Sequence, residues 1–410
     1  MSEPHKDTTG DYEGALSGLV SGNNGLTADH PAPIAVKHPW LAKLAPKLAE
    51  CVLSFGRVWA EVGTNNGIGA GRLTTEAHLG NYVAANRGPN PNKIFESMPI
   101  YVRIGWGHSW IGDDFVPEAD FVNGNSMHLL YSEWDHSLLG TKRIQQLLKD
   151  QSIAQGKAFD SEAGAQEHIK AFIATYNIDT SQLLKPNPQD YKTFNQFFYR
   201  ELRPDARPID APEDPKVISS AADCRLTVFQ NVDLAKQFWI KGKGFTIGAL
   251  LGDESLAAEF EGGELAIFRL SPADYHRYNS PVECVVGPTR SIQGDYYTVN
   301  PVTVNESNCN VFTQNRRDVT VLSMPIAGDT PADVAFVQIG AMLVGTIVPT
   351  KLQGSHVKRG EELGYFAYGG STIVAVFPAG KVQWDQDLVN NSQVPIETAV
   401  RVGERIGTFL

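Results

Sequence analysis

The chain has 410 residues, 42% of them hydrophobic, and a formal net charge of −11, which is length and apolar content enough for two domains or one large one with a sizeable core. The acidic balance argues against a general nucleic-acid binder, whose footprint is basic, and leaves room only for a local basic patch against anionic lipid. The four cysteines, Cys51, Cys224, Cys284 and Cys309, stand at long, irregular spacings without a CxxC pair. They suit neither a zinc site nor a disulfide framework and read as buried or inert thiols in a reducing compartment.

Residues 1–37 are polar and Gly-rich, without the apolar core of a secretory signal, and read as a disordered leader. Lys6 is the only lysine or arginine before Lys37, which argues against an arginine-rich presequence. These features, with the unpaired cysteines, favour the cytosolic side. No stretch approaches ~18 uninterrupted apolar residues, so no spanning helix is expected and any membrane contact is peripheral.

From residue 38 the pattern turns helical. Leu41, Leu44, Leu48, Val52 and Phe55 fall at helical spacing. A Gly/Asn-rich piece over 63–92 has no clear period. A second helical block follows: Ile144, Leu147, Leu148 and Ile153 share one face, Ser161 stands as an N-cap for the next helix, and Thr193 with Gln196 forms a capping-box signature in a helix that ends before Pro204. Residues 38–205 thus form a mainly helical N-terminal region.

After the Pro- and charge-rich link "RPDARPIDAPEDPK" the texture changes. Residues 206–410 read as a β-rich domain, in short segments such as "LTVF", "ELAIFRL", "VTVLSMPI", "VAFVQIGAMLVGTIV" and "STIVAVF" separated by turn residues. Without a β–helix rhythm, a parallel doubly wound sheet is not expected; the fold class is α+β with a mostly antiparallel β domain. The stretch "GSHVKRGEELGYFAYGGSTIVAVF" reads as two strands joined by the glycine pair Gly369–Gly370. Biotinyl- and lipoyl-carrier domains share this texture, but they present a lysine where this chain has glycine and serine.

Few residues in the β half suit chemistry. His276 lies in the crowded polar stretch "LSPADYHRYNSPV", either a loop or a strand end. His356 follows Gly354 and Ser355 in a turn and reads as exposed. Asp223 precedes a strand, where it serves either the turn or the orientation of a base.

In order along the chain, "FNQFFYRELRPDARPID", "ISSAADCRLTVF", "DYHRYNSPV", "YYTVNPVTV", "FTQNRR", "IGAMLVGTIV", "VKRGEELGYFAYGGST" and "WDQDL" resemble the phosphatidylserine decarboxylases over roughly residues 125–410. The resemblance implies a proenzyme that cuts itself between Gly370 and Ser371. The serine hydroxyl attacks the preceding carbonyl, and elimination and hydrolysis leave a pyruvoyl group at the start of a short chain, 371–410. Glycine before the serine exposes that carbonyl, the serine needs a base to become nucleophilic, and backbone N–H groups would have to stabilise the oxyanion. The pyruvoyl carbonyl would then be the electron sink for decarboxylation, with no lysine and no external cofactor.

By the same resemblance Asp223 supports self-cleavage and His276 acts in decarboxylation as proton donor. The second histidine of the family's triad is Asn279 here, and a neutral amide cannot take the serine's proton as an imidazole can. Three outcomes stay open: His276 serves both steps, His356 approaches Ser371, or cleavage is slow or absent. Tyr275, Tyr296, Tyr297 and His356 are candidates to line a substrate pocket. The implied substrate is phosphatidylserine, converted to phosphatidylethanolamine, at a peripheral membrane contact and with a homodimer as the family's frequent form. The alternatives are a decarboxylase of a free aromatic amino acid such as tryptophan and a non-cleaving relative that binds lipid or a partner protein.

Overall fold

The computed structural model describes residues 80–97, 149, 152–153, 156–238, 240, 245–297, 310–324, 332–341, 346–367, 371–394 and 396–410. The expected leader, the helix from residue 38, Cys51, Cys309 and Gly369–Gly370 lie outside these residues. The described part mixes helix with mostly antiparallel sheet.

The strands are β1 (Gly80–Ala84), β2 (Lys93–Ser97), β3 (Val217–Ser219), β4 (Cys224–Phe229), β5 (Leu265–Leu270), β6 (Arg277–Asn279), β7 (Cys284–Ile292), β8 (Arg317–Ser323), β9 (Asp333–Ile339), β10 (Ile347–Pro349), β11 (His356–Val357), β12 (Glu362–Phe366), β13 (Ser371–Val376), β14 (Val382–Trp384), β15 (Glu397–Val400) and β16 (Arg405–Phe409). Ten of them form one sheet in the order β11-β7-β8-β9-β13-β5-β4-β15-β1-β2, and two three-stranded sheets follow the orders β10-β12-β6 and β14-β16-β3. The β-branched and aromatic runs of β4, β5, β9 and β13 suit a pleated, buried surface.

A single apolar core joins all three sheets. Leu226, Phe268, Phe336, Ile373 and Ala375 of the large sheet meet Tyr278, Phe366, Ile347, Trp384, Ile406 and Phe409 of the small ones. The Tyr278 ring lies 5.1 Å from Phe366 and 6.1 Å from Phe336. Removing a buried ring such as Phe336 would cost about 3 to 5 kcal/mol. Cys224 and Cys284 are free, buried thiols in this core, and burial raises the pKa of both.

β12 and β13, the strands on either side of the glycine pair, do not pair as a hairpin. β12 belongs to a small sheet with β10 and β6, whereas β13 lies between β5 and β9 in the large one. Length and alternation fit two strands, but neither reports which sheet a strand joins. The Gly-rich stretch over 63–92 also holds a surprise: β1 pairs in parallel with β15, with Val83 opposite Glu397. Arg87 fastens this segment by donating from Nε to Asp387 Oδ2 (2.6 Å) and from Nη2 to Asp387 Oδ1 (2.8 Å).

Ile144, Leu147 and Leu148 of the expected second helical block lie outside the described residues, and residues 149, 152–153 and 156–159 are helical. Helix α1 (Ala165–Tyr176) starts at the N-cap Gly164, and Ser161 instead accepts from the Ala163 N–H in the preceding turn. Ile153 is exposed. Helix α2 (Phe194–Phe198) is capped as expected, with Thr193 Oγ1 accepting from the Gln196 N–H. Phe172 of α1 packs edge-on against Phe194 and Phe197 of α2, at 5.3 and 6.1 Å between ring centroids.

Candidate active site

Ser371 opens β13 at the centre of the large sheet. It faces Leu270, the last residue of β5, and is fully buried. Residues facing one another in antiparallel strands share a face, so Ser371, Ile373, Leu270 and Phe268 lie on the core side. The Ser371 Oγ makes no hydrogen bond. A buried hydroxyl without a partner costs about 1 to 3 kcal/mol, a cost expected where a group is held for chemistry.

The loop after Leu270 carries His276 and is tightly fixed. Asp274 Oδ2 accepts from the Ser271 N–H at 2.7 Å, and Arg225 Nη1 donates to both Asp274 oxygens at 2.8 and 2.7 Å. Arg200 Nη2 donates to the carbonyls of Ala273 (2.7 Å) and Asp274 (3.2 Å). Burial pulls the Arg200 guanidinium down to about 10. His276 Nδ1 sits 3.0 Å from the Asp274 carbonyl. A carbonyl only accepts, so Nδ1 carries the hydrogen and Nε2 is the basic atom of the neutral ring. The ring lies against Phe198, 3.9 Å between centroids, and the His276 carbonyl accepts from the Phe366 N–H at 2.9 Å.

Asp223 is gripped by Arg207, which donates from Nε to both carboxylate oxygens (2.9 and 3.0 Å) and from Nη2 to Oδ2 (2.5 Å). The Val402 N–H donates to Oδ1 at 2.9 Å. Burial alone would lower the Arg207 pKa; the hydrogen bonds and charge of Asp223 leave it raised. Asn279 ends β6. Its N–H donates to the Ala221 carbonyl at 2.8 Å, two residues before Asp223, so position 279 does lie beside the Asp223 segment. Its Nδ2 donates to the Gly360 carbonyl at 2.9 Å, and its Oδ1 is buried without a partner.

Tyr275 adjoins His276 in the same loop, and the remaining candidates are dispersed. Tyr275 is buried, and desolvation pushes its phenol well above the ordinary range. Tyr296 is half-buried. Tyr297 is buried, its N–H donating to Asn315 Oδ1 at 2.9 Å. His356 lies on the edge strand β11, with Nε2 3.2 Å from Glu283 Oε1. Strands β7, β8 and β9 separate it from Ser371, about 19 Å at the usual strand spacing. Trp384 is part of the core, its ring N–H donating to the Phe229 carbonyl at 3.1 Å. Sequence reasoning missed Arg207, Arg200 and Arg225. Arg207 stands in a stretch that reads as a linker, and its pairing with Asp223 spans a contact no local pattern reports.

The family model of phosphatidylserine decarboxylase matches residues 194–408. The chain is 38% identical over 312 residues to phosphatidylserine decarboxylase proenzyme 3 of Schizosaccharomyces pombe, covering 76% of this chain and 29% of that one. It is 41% identical over 285 residues to phosphatidylserine decarboxylase proenzyme 2 of rice, Oryza sativa, covering 69% and 45%. With the phosphatidylserine decarboxylase proenzyme of Fusobacterium nucleatum it shares 40% identity over 247 residues, 60% of this chain and 80% of the relative. The chain thus spans less than half the length of these two eukaryotic relatives and most of the bacterial one. Matched across its β-rich half and over most of a bacterial relative, the chain belongs to the phosphatidylserine decarboxylase family.

Proposed function

We propose that this chain is a self-processing decarboxylase that converts phosphatidylserine to phosphatidylethanolamine. The observation that carries this reading is the buried, unpartnered hydroxyl of Ser371 at the first position of β13, across from the strand that leads into the fixed His276 loop. A serine destined to become a pyruvoyl group fits this place, because no hydrogen bond has to be broken to free the oxygen. Such a group supplies an electron-withdrawing carbonyl to the bond that loses carbon dioxide.

The chain's own residues supply position and protons. Asp274, anchored by Arg225 and Arg200, holds His276 with Nδ1 protonated, leaving Nε2 to take up and return a proton. Asp223, held by Arg207, supports the segment against which Asn279 rests. The substrate names borne by the relatives favour the phospholipid over a free aromatic amino acid. In this reading the chain meets a bilayer surface; no helix among the described residues is long and apolar enough to cross one.

A second reading is a slow or dormant proenzyme. It is favoured by the amide at position 279 and by an Asp223 whose carboxylate faces Arg207. Purified protein on a denaturing gel, together with carbon dioxide release from phosphatidylserine vesicles and from free tryptophan, separates the readings. Two fragments and release from the vesicles are expected. A single band unchanged on long incubation, with no release, would leave the dormant reading.

A further inference from the structure

Beside Ser371, the core face of the large sheet carries charged and polar groups that the steps above do not use. Thr372 pairs with Ile339, so one step further Gly340 faces Ser371. Ile339 pairs with Arg317, so Arg316 faces Gly340, and the Gly340 N–H donates to the Arg316 carbonyl at 2.9 Å. Ser371, Gly340 and Arg316 therefore form one row on the core face. The next row on that face is Ile373, Gln338, Asp318 and Ser291. Because Gly340 has no side chain, the middle of the first row is a slot bounded by Ser371, Gln338, Asp318 and Arg316. Asn315 Nδ2 pins its floor by donating to the Gly340 carbonyl at 2.9 Å.

Each of the four bounding side chains has a buried polar atom with no hydrogen-bond partner: Ser371 Oγ, Gln338 Oε1, Asp318 Oδ1 and Arg316 Nη1. Ser371, Gln338 and Asp318 are 0, 3 and 4% exposed. Arg316 Nη2 and Asp318 Oδ1 form an ion pair at 4.0 Å, beyond hydrogen-bond length, so this contact gives neither atom a hydrogen bond. Leaving buried polar atoms without hydrogen bonds in the interior is expensive. A ligand bearing both a cation and an anion would supply the missing partners. The second row runs outward to Ser291, which is exposed, so a polar stripe leads from the surface towards Ser371.

We propose that this slot receives the amino-acid head of the substrate, with its ammonium at Asp318 and Gln338 Oε1 and an anion at Arg316. The proposal rests on Ser371 being the reacting position. The anion is the carboxylate or the phosphodiester of the head, and the choice of lipid tells them apart.

The test is calorimetric titration of the uncleavable Ser371→Ala chain with dihexanoyl phosphatidylserine, phosphatidylethanolamine and phosphatidylglycerol, alone and combined with Asp318→Asn or Arg316→Gln. Asp318→Asn is expected to weaken both amine-bearing lipids about tenfold or more, the scale of a hydrogen bond to a charged group, and to spare phosphatidylglycerol. Arg316→Gln weakens phosphatidylserine alone if the anion is the carboxylate, and all three lipids if it is the phosphodiester. Phosphatidylserine affinity within about twofold of the Ser371→Ala parent in both folded variants would overturn the slot. If Asp318→Asn does not fold, Gln338→Met makes the same comparison, with the same loss of amine-lipid affinity expected. A chain that never cleaves but shows these losses would remove the decarboxylase reading and leave the slot standing. A processed, active enzyme whose variants bind unchanged would do the reverse.

Discussion

Asp223 and Arg207 form a largely buried ion pair, Nη2 to Oδ2 at 2.5 Å, that ties the segment before β3 to the start of β4. Arg207 Nη1 also donates to Gln182 Oε1 at 2.8 Å, which extends the tie to the N-terminal helical block. Removing one partner of a buried pair strands the other charge, at about 3 to 5 kcal/mol. Arg207→Ala is therefore expected to lower unfolding stability by about 3 kcal/mol or more in a urea titration. A loss under about 1 kcal/mol, the size of an exposed pair, would mean that water already reaches Asp223.

In the proposed reading Asn279 stands where a second histidine of the family's triad would serve as the base for self-cleavage. Its backbone lies against Ala221, so a histidine there would stand beside the Asp223 segment. Asn279→His is expected to speed processing by up to about a hundredfold, the low end of what a positioned general base contributes. Densitometry of gel bands over time measures this. An unchanged rate would show that another group already takes the serine's proton.

Arg87 and Asp387 offer a pH test away from the chemistry. The hydrogen bonds from Arg87 come first among the causes that hold the Asp387 carboxyl below its ordinary value. A carboxyl with a depressed folded-state pKa adds stability above its unfolded pKa, about 3.9, and loses it as pH falls through the lower folded value. Asp387→Asn should therefore cost about 2 kcal/mol near neutrality. The gap from the parent should narrow steadily below about pH 4. Thermal melts from pH 7 down to pH 3 check the sign, and a gap that widens in acid would contradict the assignment.

Much of the β domain is legible in the sequence because its strands are buried on both faces and read as continuous β-branched runs, as in β9 and β13. What is lost is long-range. "GNYVA" pairs with a strand more than three hundred residues away, and nothing local announces it. The glycine pair before Ser371 looks like a hairpin turn because strand length and spacing are the same whether the chain turns back or changes sheets. His276 stands out in a crowded polar stretch, and Asp223 as a carboxylate just before a strand. Asp318 and Gln338 do not, because alternation in "RDVTVLS" and "DVAFVQI" cannot say that a polar residue faces inward.

Ser371→Ala removes the hydroxyl at the proposed cleavage position. It is expected to abolish both chain cleavage and carbon dioxide release while leaving the melting temperature near that of the parent, since the Oγ makes no hydrogen bond to lose. Carbon dioxide release at the parent rate in this variant would rule out chemistry at residue 371.

The most direct measurement is the intact mass of the freshly purified wild-type chain, taken beside an assay with phosphatidylserine. Two polypeptides, 1–370 and 371–410, are expected, the shorter beginning with a pyruvoyl group in place of serine. One unbroken mass in protein that consumes phosphatidylserine would contradict the account.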